Sequence, residues 1–395
     1  MAAPSLARRL AFDVLLLVER GGYAADLLYR RGGKLLPPDA ALAHEIVFGV
    51  LRRRPQLDFL LQEHISKPFA KLDSEVLQAL RMGVYQLHFL ERVPSHAAVS
   101  ESVALVRYAR KISATGMVNA VLRKVMDMPF PTEWPNKATE LCVPDWLLHR
   151  WESSLGEEQA VSAARAFLQK PDVFTRLPVG KSPADYPSCE FRETEIRGCF
   201  QVLKGIPQVA GLRQSDIGSQ WVGTLVDAAP GDTVLDLCAA PGNKTAVIAE
   251  RGEVAAACDA NFQRLAAMAA ESIPRVQLDA TQPLPFRHRF KWVLLDAPCS
   301  GTGTLGRNPE IRWRITPEKL REFPRIQKAM LRNALELLAP NGALVYSTCS
   351  LETEENENIV RDLCHDYGVE TFRRLPGLTP GDGFFAAVIR KRARA

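Results

Sequence analysis

Two cysteines follow short apolar runs in the last third of the sequence. Cys299 ends "LLDAPC" (294–299), three residues after Asp296, and Cys349 ends "LVYSTC" (344–349). Taken alone, each cysteine is as compatible with packing as with chemistry, because free cysteine is one of the most frequently buried residue types. Taken together, two thiols and a carboxyl group at the ends of such runs indicate covalent catalysis, in which a thiolate attacks the substrate and a carboxyl group handles a proton.

The order of the apolar segments predicts the elements that carry these residues. Apolar residues recur at helical spacing from residue 5 to about 126, and a proline-rich stretch follows at 128–146. After Trp221, short apolar strands alternate with helices, which predicts a doubly wound, mostly parallel sheet. We predict a helix over 355–367, and we expect residues 383–392 to close the sheet as an antiparallel edge strand. The predicted parts are an all-α domain (1–130), a linker with a small mixed α/β subdomain (131–213) and an α/β domain (214–395).

The ends of the predicted strands also outline a cofactor site. Ligands of such sheets bind beyond the carboxyl ends of the strands, where "LDLCAAPGNKT" (235–245) gives a turn of small residues that leads into a helix. The turn lacks the glycine patterns of dinucleotide sites and P-loops, which disfavours nicotinamide chemistry and nucleotide hydrolysis. Asp259 ends the next strand, where its carboxylate suits the ribose hydroxyls of a nucleoside. Its alternative role is the N-cap of the helix that follows.

Two thiols and an acid beside a nucleoside cofactor match methylation at C5 of a pyrimidine. C5 is too weakly nucleophilic to attack a methyl sulfonium by itself. A thiolate that adds to C6, while a carboxyl group protonates or hydrogen-bonds N3, turns the ring into an enamine whose C5 can attack. The enzyme must then lose the C5 proton and expel its own thiol, a step in which a second cysteine can assist.

Positive charge is concentrated in the N-terminal third of the chain. Residues 1–130 hold 18 Lys+Arg and 12 Asp+Glu, a net charge of +6, whereas the remaining 32 and 33 give −1, for +5 overall. This excess indicates either a face that binds a polyanion or an ordinary solvated helical surface. We expect Arg307 and Arg312, which follow Cys299 closely, to be within reach of the same polyanion.

Cysteine usage and hydropathy exclude several classes of protein. The eight cysteines show no CxxC and no Cys/His spacing suited to zinc, so we expect free thiols in a reducing cytoplasm and no metal. Acidic residues interrupt the apolar N-terminus, and no window reaches the ~18 apolar residues of a membrane span. We therefore expect a soluble cytoplasmic protein without a membrane partner.

Four C-terminal motifs resemble those of the NOL1/NOP2/Sun family of RNA cytosine-5 methyltransferases. They are "LDLCAAPGNKT", "DAPCSGTGTLGRNPEIRW", "YSTCSLETEEN" and "GDGFFAA". The helical front, with "GMVNAVLRKV" (116–125), resembles the NusB-like domain of the bacterial Sun (Fmu) branch, the 16S ribosomal RNA methyltransferases. "VPDWLLHRW" and "RQSDIGSQWV" also match this branch, so the resemblance covers most of the chain. It implies a Rossmann-like class I methyltransferase domain with a seven-stranded sheet.

The resemblance also implies the roles of particular residues. Cys349 would be the nucleophile, Cys299 would promote product release, and Asp296 would hold the cytosine at N3. S-adenosylmethionine would be the cofactor, and the residues implied in its binding are Cys238, Ala239, Ala240, Pro241, Gly242, Lys244, Asp259, Arg264, Asp279 and Asp296. The sequence departs from the family pattern at Asn243, where a second glycine is usual, and at Gly306, where an arginine is common. Residues 171–213 match loosely, with Arg176 a candidate for RNA contact.

The leading hypothesis is an enzyme that forms 5-methylcytosine in 16S ribosomal RNA as a monomer. The same chemistry on transfer RNA or another RNA is one alternative, against which the NusB-like front argues. A non-catalytic RNA-binding assembly factor is another, against which the presence of both cysteines and Asp296 argues. A DNA cytosine methyltransferase would use Cys299 as its nucleophile and leave Cys349 unexplained, so no DNA partner is expected.

Overall fold

The computed structural model of the 395-residue chain describes residues 3–33, 35–208, 210–268 and 272–391. These residues form two compact units. The first comprises the chain up to Arg150 together with Gly306–Arg314, and the second comprises Trp151–Leu305 and the residues from Ile315 onward. The domain boundaries predicted at residues 130 and 213 separate parts that are expected to fold independently. The division into two units does not test this, so these boundaries stay predictions.

The described residues contain helices in both units and strands in the second. The α-helices are α1 (Leu6–Glu19), α2 (Ala24–Gly32), α3 (Pro37–Gln62), α4 (Ser74–Phe89), α5 (Ser95–Tyr108), α6 (Thr115–Met126), α7 (Lys137–Leu141), α8 (Asp145–Leu155), α9 (Glu157–Ala166), α10 (Ile217–Leu225), α11 (Asn243–Ile248), α12 (Phe262–Ala266), α13 (Pro317–Leu320), α14 (Phe323–Glu336) and α15 (Glu357–Leu363). The strands are β1 (Phe174–Arg176), β2 (Glu190–Glu193), β3 (Cys199–Lys204), β4 (Thr233–Asp236), β5 (Glu253–Asp259), β6 (Arg275–Gln277), β7 (Phe290–Asp296), β8 (Leu338–Thr348), β9 (Tyr367–Arg374) and β10 (Phe384–Lys391).

Helices α1 and α3 to α6 surround the core of the first unit, because each buries an apolar stripe at helical spacing. Gly49 allows α3 to approach α4 closely, since a Cβ at this position would lie 1.9 Å from Cζ of Tyr85. The buried guanidinium of Arg81 donates to both carboxylate oxygens of Asp58, at 2.6 and 2.8 Å, which pairs its charge. The predicted all-helical N-terminal domain is confirmed.

A short segment that follows Cys299 in the sequence belongs to the helical unit. Within residues 306–314, Trp313 donates from Nε1 to the carbonyl of Leu51 at 2.8 Å, and Arg312 donates from Nη1 to the carbonyl of Cys142 at 2.8 Å. Arg312 is only 1% exposed, and burial lowers its pKa to about 10. The prediction that Arg312 reaches a polyanion is wrong, because its guanidinium is enclosed by protein.

The second unit is built on a seven-stranded sheet with the order β6-β5-β4-β7-β8-β10-β9. The first five strands in this order run parallel, and β10 runs antiparallel to both β8 and β9. Alternate residues of the central strands pack on opposite faces, for example Val293 on one and Leu294 on the other. The predicted Rossmann-like, mostly parallel sheet is therefore confirmed.

The C-terminal part of this sheet differs from the sequence-based expectation. The helix predicted over 355–367 is shorter, since α15 covers Glu357–Leu363, and the unpredicted strand β9 begins at Tyr367. Strand β10 lies between β8 and β9, so the prediction that it forms the edge is wrong. Residue 392 of that predicted strand lies outside the described residues. Strand β9 is partly exposed along its length, as expected of an edge strand. Its apolar residues do not form a clear pattern, so the sequence did not predict it.

A smaller antiparallel sheet with the order β1-β3-β2 precedes α10 in the second unit. It corresponds to the region expected to be mixed α/β. In the described parts of both units, no helix has the combination of length and apolar character that crossing a membrane requires. The eight cysteines are all free, as expected.

Candidate active site

Neighbouring parallel strands bring the reactive residues to one edge of the large sheet. Register pairs Asp236 of β4 with Leu294 of β7, and Asp296 of β7 with Ser347 of β8. The strands are short and apolar because both faces of a parallel sheet are covered, so polar residues occur where the strands end. Cys299 lies three residues beyond the end of β7, and Cys349 directly follows β8. The predicted convergence of Asp296, Cys299 and Cys349 at a strand edge is therefore what the structure contains.

The two cysteine sulfurs are in contact. Sγ of Cys299 lies 3.3 Å from Sγ of Cys349, and both residues are partly exposed. The hydrogen bond with Cys349, together with burial, raises the pKa of the Cys299 thiol well above its ordinary value. Cys299 therefore keeps its proton at neutral pH and is able to donate it toward the sulfur of Cys349.

Asp296 is held by donors on both of its carboxylate oxygens. Nζ of Lys244 donates to Oδ2 at 2.7 Å, and Oγ of Ser347 donates to Oδ1 at 2.7 Å. Burial disfavours the ammonium of Lys244, but attraction and hydrogen bonding to Asp296 outweigh this and raise the pKa of Lys244. The arrangement fixes the orientation of the carboxylate at the edge that carries the cysteines. Ser347 was missed in the sequence reasoning, although it stands in the same motif as Cys349.

A buried carboxyl group joins the loops that follow the two strands. Glu355 is fully buried, and it accepts hydrogen bonds from the amide of Ser300 at 2.8 Å, Oγ of Ser350 at 2.7 Å and Nε2 of Gln327 at 3.0 Å. Burial raises the pKa of Glu355 above its ordinary value. Sequence reasoning assigned it no role, although it lies within "YSTCSLETEEN".

Further hydrogen bonds fasten the same two loops directly. The amide of Gly303 donates to the carbonyl of Cys349 at 2.9 Å, and the amide of Leu351 donates to Oγ1 of Thr302 at 2.9 Å. The amide of Gly383, in the motif "GDGFFAA", donates to the carbonyl of Gly303 at 2.7 Å. A Cβ on Gly303 would lie 2.4 Å from the carbonyl oxygen of Gly383, so only glycine fits this crossing. The positions of both thiols are therefore set by a cross-linked pair of loops.

The turn after β4 lies against the end of β5. The amide of Ala239 donates to the carbonyl of Cys258 at 2.8 Å, and the amide of Ala240 donates to Oδ2 of Asp259 at 3.2 Å. A cis peptide bond joins Ala240 to Pro241. Gly242 has φ +96°, a conformation that favours glycine, and a Cβ there would lie 2.9 Å from Cε of Met268. The predicted cofactor turn is therefore held against the end of β5 and packed on Met268.

The role of Asp259 differs from the alternative considered from the sequence. Its Oδ1 accepts a hydrogen bond from the amide of Asn261 at 2.8 Å, and the N-cap of α12 is the side chain of Asn261, which accepts from the amide of Arg264 at 3.0 Å. The N-cap interpretation of Asp259 is therefore wrong. Arg264 donates from Nη2 to the carbonyl of Ala240 at 2.6 Å, which brings it to the same turn.

Two further acids and one further thiol lie near the strand ends, and their surroundings differ. Asp236 is 1% exposed and accepts from Oγ1 of Thr245 at 2.7 Å, and burial raises its pKa to about 7. Burial also raises the pKa of the Cys238 thiol well above its ordinary value. Asp279 is exposed, and hydrogen bonds from Thr281 lower its pKa. The strand ends therefore carry one buried carboxyl group whose pKa is raised to about 7 and one exposed carboxyl group whose pKa is lowered.

The residues at which the sequence departs from the family pattern occupy different places. Asn243 is the first residue of α11, directly after the turn. Gly306 lies in the helical unit, where its carbonyl accepts from Nη2 of Arg52 at 2.8 Å. Arg176, the candidate for RNA contact, instead donates from Nε to Oε1 of Glu250 at 2.6 Å. The guanidinium of Arg176 is therefore engaged within the protein.

The fold and the turn define the second unit as a Rossmann-like methyltransferase domain. In agreement, a family model described as 16S rRNA methyltransferase RsmB/F matches residues 223–390, and the NusB family model matches residues 5–127. The chain is 36% identical to ribosomal RNA small subunit methyltransferase B of Thermus thermophilus, over 90% of this chain and 86% of that protein.

A second relative and a solved structure extend the similarity over nearly the whole chain. The chain is 31% identical to the probable ribosomal RNA small subunit methyltransferase B of Synechocystis sp., over 94% of this chain and 91% of that protein. The crystal structure of PH0851 has the same fold, with a TM-score of 0.81 and 21% identity over 99% of this chain and 100% of that one. The chain belongs to the family of ribosomal RNA small subunit methyltransferase B.

Proposed function

We propose that the protein transfers a methyl group from S-adenosylmethionine to C5 of a cytosine in 16S ribosomal RNA, through a covalent bond between Cys349 and C6 of the base. The observation that carries the proposal is the 3.3 Å contact between the sulfurs of Cys299 and Cys349, at the strand edge that also holds Asp296. Packing alone would not require two free, partly exposed thiols in this position. Covalent pyrimidine chemistry requires one thiol to attack and benefits from a second that handles a proton.

Cys349 is the nucleophile of the proposed reaction. The Cys349 thiol loses its proton as its sulfur bonds to C6 of cytosine. The C5=C6 pair forms a C4=C5 bond, the C4=N3 pair moves to N3, and N3 takes up a proton in place of the one that the thiol released. Asp296, oriented by Lys244 and Ser347, holds the ring on its N3 side. The methyl group added at C5 is supplied by S-adenosylmethionine. N3 then releases its proton as C4=N3 re-forms, the C5 proton passes to solvent, and the pair left at C5 re-forms C5=C6 as the Cys349 sulfur departs from C6.

Cys299 assists the release of Cys349. Its thiol remains protonated because of its hydrogen bond to Cys349 and its burial, and it can donate to the sulfur that leaves C6. The loop contacts of Glu355 and Gly303 keep the two sulfurs adjacent throughout this cycle. The raised pKa of the Cys299 thiol and its 3.3 Å contact with Cys349 support this role as a proton donor.

The residues around the turn after β4 fit the proposed cofactor. Oδ1 of Asp236, at the end of β4, is a buried acceptor without a partner in the described chain. It leaves hydrogen-bonding capacity for a bound group beside this turn. The residues proposed to hold S-adenosylmethionine are Cys238, Ala239, Ala240, Pro241, Gly242, Lys244, Asp259, Arg264, Asp279 and Asp296.

RNA is the proposed substrate because the relatives are named for small-subunit ribosomal RNA. The target cytosine has to leave any base stack to meet Cys349, so we propose an unpaired or flipped nucleotide. The net charge of +6 on residues 1–130 would add affinity for the RNA backbone. We propose a cytoplasmic monomer that does not act on DNA, and the free thiols fit a reducing compartment.

The test is transfer of labelled methyl groups from S-adenosylmethionine to unmodified 16S ribosomal RNA, followed by digestion to nucleosides. We expect label in 5-methylcytidine with the wild-type protein and none with Cys349→Ala. Cys189→Ala, which removes a thiol outside the strand edge, is the matched control and should retain wild-type activity.

Parallel reactions with transfer RNA separate the alternatives. Label in transfer RNA alone would favour the same chemistry on another substrate. Absence of transfer to any RNA, with RNA binding retained, would favour a non-catalytic assembly factor and would refute the proposal.

A further inference from the structure

Two adjoining cavities lie between α11 and the small sheet of the second unit. The larger has a volume of about 590 Å³, and its lining includes the residues that follow β1, the residues that precede β3, and Arg251 beyond the end of α11. An adjoining cavity of about 240 Å³ includes Arg213 and Asn243, the first residue of α11. The two cavities share Arg176 and Glu250 in their linings, so they adjoin at this ion pair, and together they are called the groove.

The charges that line this groove leave a positive excess. Its two acidic residues are paired, Glu250 with Arg176 at 2.6 Å and Glu195 with Arg374 at 2.8 Å. Arg197, which lines the same groove, is exposed, and its guanidinium has no charged or hydrogen-bonding partner in the described chain. Because the acids are already neutralised by arginines, the free cations decide the potential of the groove.

Three more cations strengthen this field. Arg213 is exposed and, like Arg197, lacks a side-chain partner among the described residues. Lys181 and Arg251 also line the groove, with exposed side chains that retain contact with water. Their carboxylate partners, Asp185 at 3.3 Å and Asp227 at 3.6 Å, do not line it. Surface ion pairs of this kind are weak, so both cations remain available to a stronger anion.

One end of the groove borders the proposed cofactor turn. Nη1 of Arg213 lies 3.8 Å from the position that a Cβ on Gly242 would take. Gly242 belongs to the turn that follows β4, whose C-terminal end lies in the sheet beside β7, the strand that ends in Asp296. An anionic chain lying in the groove would therefore lead toward the edge where the reactive residues are gathered.

We propose that this groove binds the phosphodiester backbone of the RNA next to the target nucleotide, with Arg197 and Arg213 as its principal phosphate contacts. Guanidinium groups match phosphate oxygens in two-point hydrogen bonds, and contacts to the backbone position a nucleic acid without reading its sequence. The inference rests on the proposed function for the identity of the polyanion. It assigns RNA binding to residues 171–213 through arginines other than Arg176.

The test compares the RNA affinity of wild-type protein with that of Arg197→Gln/Arg213→Gln over a range of salt concentrations. Each phosphate contact to single-stranded RNA contributes a slope of about 0.7 in log Kd against log salt, so losing two should flatten the slope by about 1.4. Because this contribution vanishes near 1 M salt, the same slope predicts affinity weakened by about 25-fold at 0.1 M. S-adenosylhomocysteine binding, measured by calorimetry, should be unchanged.

Two control variants separate a specific groove from a general charge effect. Arg325→Gln/Arg332→Gln removes two exposed arginines of α14 and should leave the slope at the wild-type value. Arg197→Lys/Arg213→Lys keeps both charges and should retain most of the slope. An unchanged slope in the Arg197→Gln/Arg213→Gln protein, or an equal loss in the α14 control, would overturn the proposal.

The outcome is distinguishable from failure of the proposed function. If the wild-type protein forms 5-methylcytidine but the groove variant binds RNA normally, only the groove proposal fails. If the groove variant loses RNA affinity while the wild-type protein forms no 5-methylcytidine, the groove binds RNA and the proposed reaction fails.

Discussion

Replacing Glu355 with alanine should loosen both cysteine loops without altering either thiol. The carboxyl group of Glu355 accepts from Ser300, Ser350 and Gln327, which lie on three separate segments. The alanine side chain cannot accept any of these hydrogen bonds. Glutamine is the matched control, because its oxygen can accept from Ser300 and Gln327 while its NH₂ donates to Oγ of Ser350.

The size of the effect follows from which donors find other acceptors. Oγ of Ser350 lies 3.0 Å from Oγ of Ser300, and Nε2 of Gln327 lies 3.0 Å from the carbonyl of Pro298. The amide of Ser300 has no second acceptor within the described residues. An orphaned buried donor costs ~1–3 kcal/mol and the small cavity about 1 kcal/mol more, giving a total near 3 kcal/mol. At 1.4 kcal/mol per factor of ten, local opening should become about a hundredfold more frequent.

Hydrogen–deuterium exchange read by mass spectrometry measures this opening directly. Peptides that contain the amides of Ser300, Gly303 and Leu351 should exchange about a hundredfold faster in Glu355→Ala. The same peptides in Glu355→Gln should stay within about threefold of the wild-type rate, and kcat should follow the same order. Exchange in the folded alanine variant at the wild-type rate would refute the role of Glu355 in holding the loops.

Three shorter predictions concern the strand edge. Asp236→Asn removes a carboxyl group whose pKa burial raises from 3.8 to about 7. Between pH 4 and pH 7 the folded protein keeps that proton while the unfolded chain releases it, so the free energy of unfolding of wild type falls relative to that of the variant by up to about 4 kcal/mol. Urea unfolding at pH 4 and pH 8 measures this change. The same wild-type-minus-variant difference in free energy of unfolding at both pH values would contradict the prediction. Ser347→Ala removes a donor to Asp296 and should lower kcat about tenfold, with the KM for S-adenosylmethionine unchanged; a change confined to KM would argue against a role in orienting the carboxylate. The oxidant diamide should take two electrons and two protons from Cys299 and Cys349 and so join them in a disulfide, for which the sulfurs must approach from 3.3 Å to about 2.05 Å. Activity should be lost and then restored by dithiothreitol. Activity that persists after oxidation, with no loss of two hydrogens in the protein mass, would contradict the contact.

The reactive strand ends were accessible from sequence because they depend on local patterns. Apolar runs that end in Asp296 and Cys349 specify buried parallel strands, and parallel strands of one sheet share the edge at which they end. The carboxyl and thiol groups were therefore expected together before their distance was known. Strand β10 was also recognised from its apolar residues, although its place inside the sheet was not.

The supporting contacts were not accessible, because they join residues far apart in the chain. Ser300 and Glu355 are separated by 55 residues, and nothing near either one indicates the other. The segment 306–314 looks like an exposed basic loop in the sequence, yet Arg312 is buried and donates to a carbonyl 170 residues away.

The same segment affects how RNA binding should be tested. Deleting residues 1–130 would remove helices that belong to the same unit as this segment. Point substitutions are therefore a better probe of RNA binding than deletion.

The measurement that tests the central claim most directly is the trapping of the covalent intermediate. The Cys299→Ala protein, which lacks the thiol proposed to promote release, should be incubated with S-adenosylmethionine and 16S ribosomal RNA. It should then be separated on a denaturing gel, digested with protease and nuclease, and analysed by tandem mass spectrometry. We predict a stable protein–RNA adduct in which methylated cytosine is attached to Cys349, and no adduct in Cys299→Ala/Cys349→Ala. An adduct on a different cysteine, or complete turnover by Cys299→Ala without any adduct, would contradict the assigned roles of the two thiols.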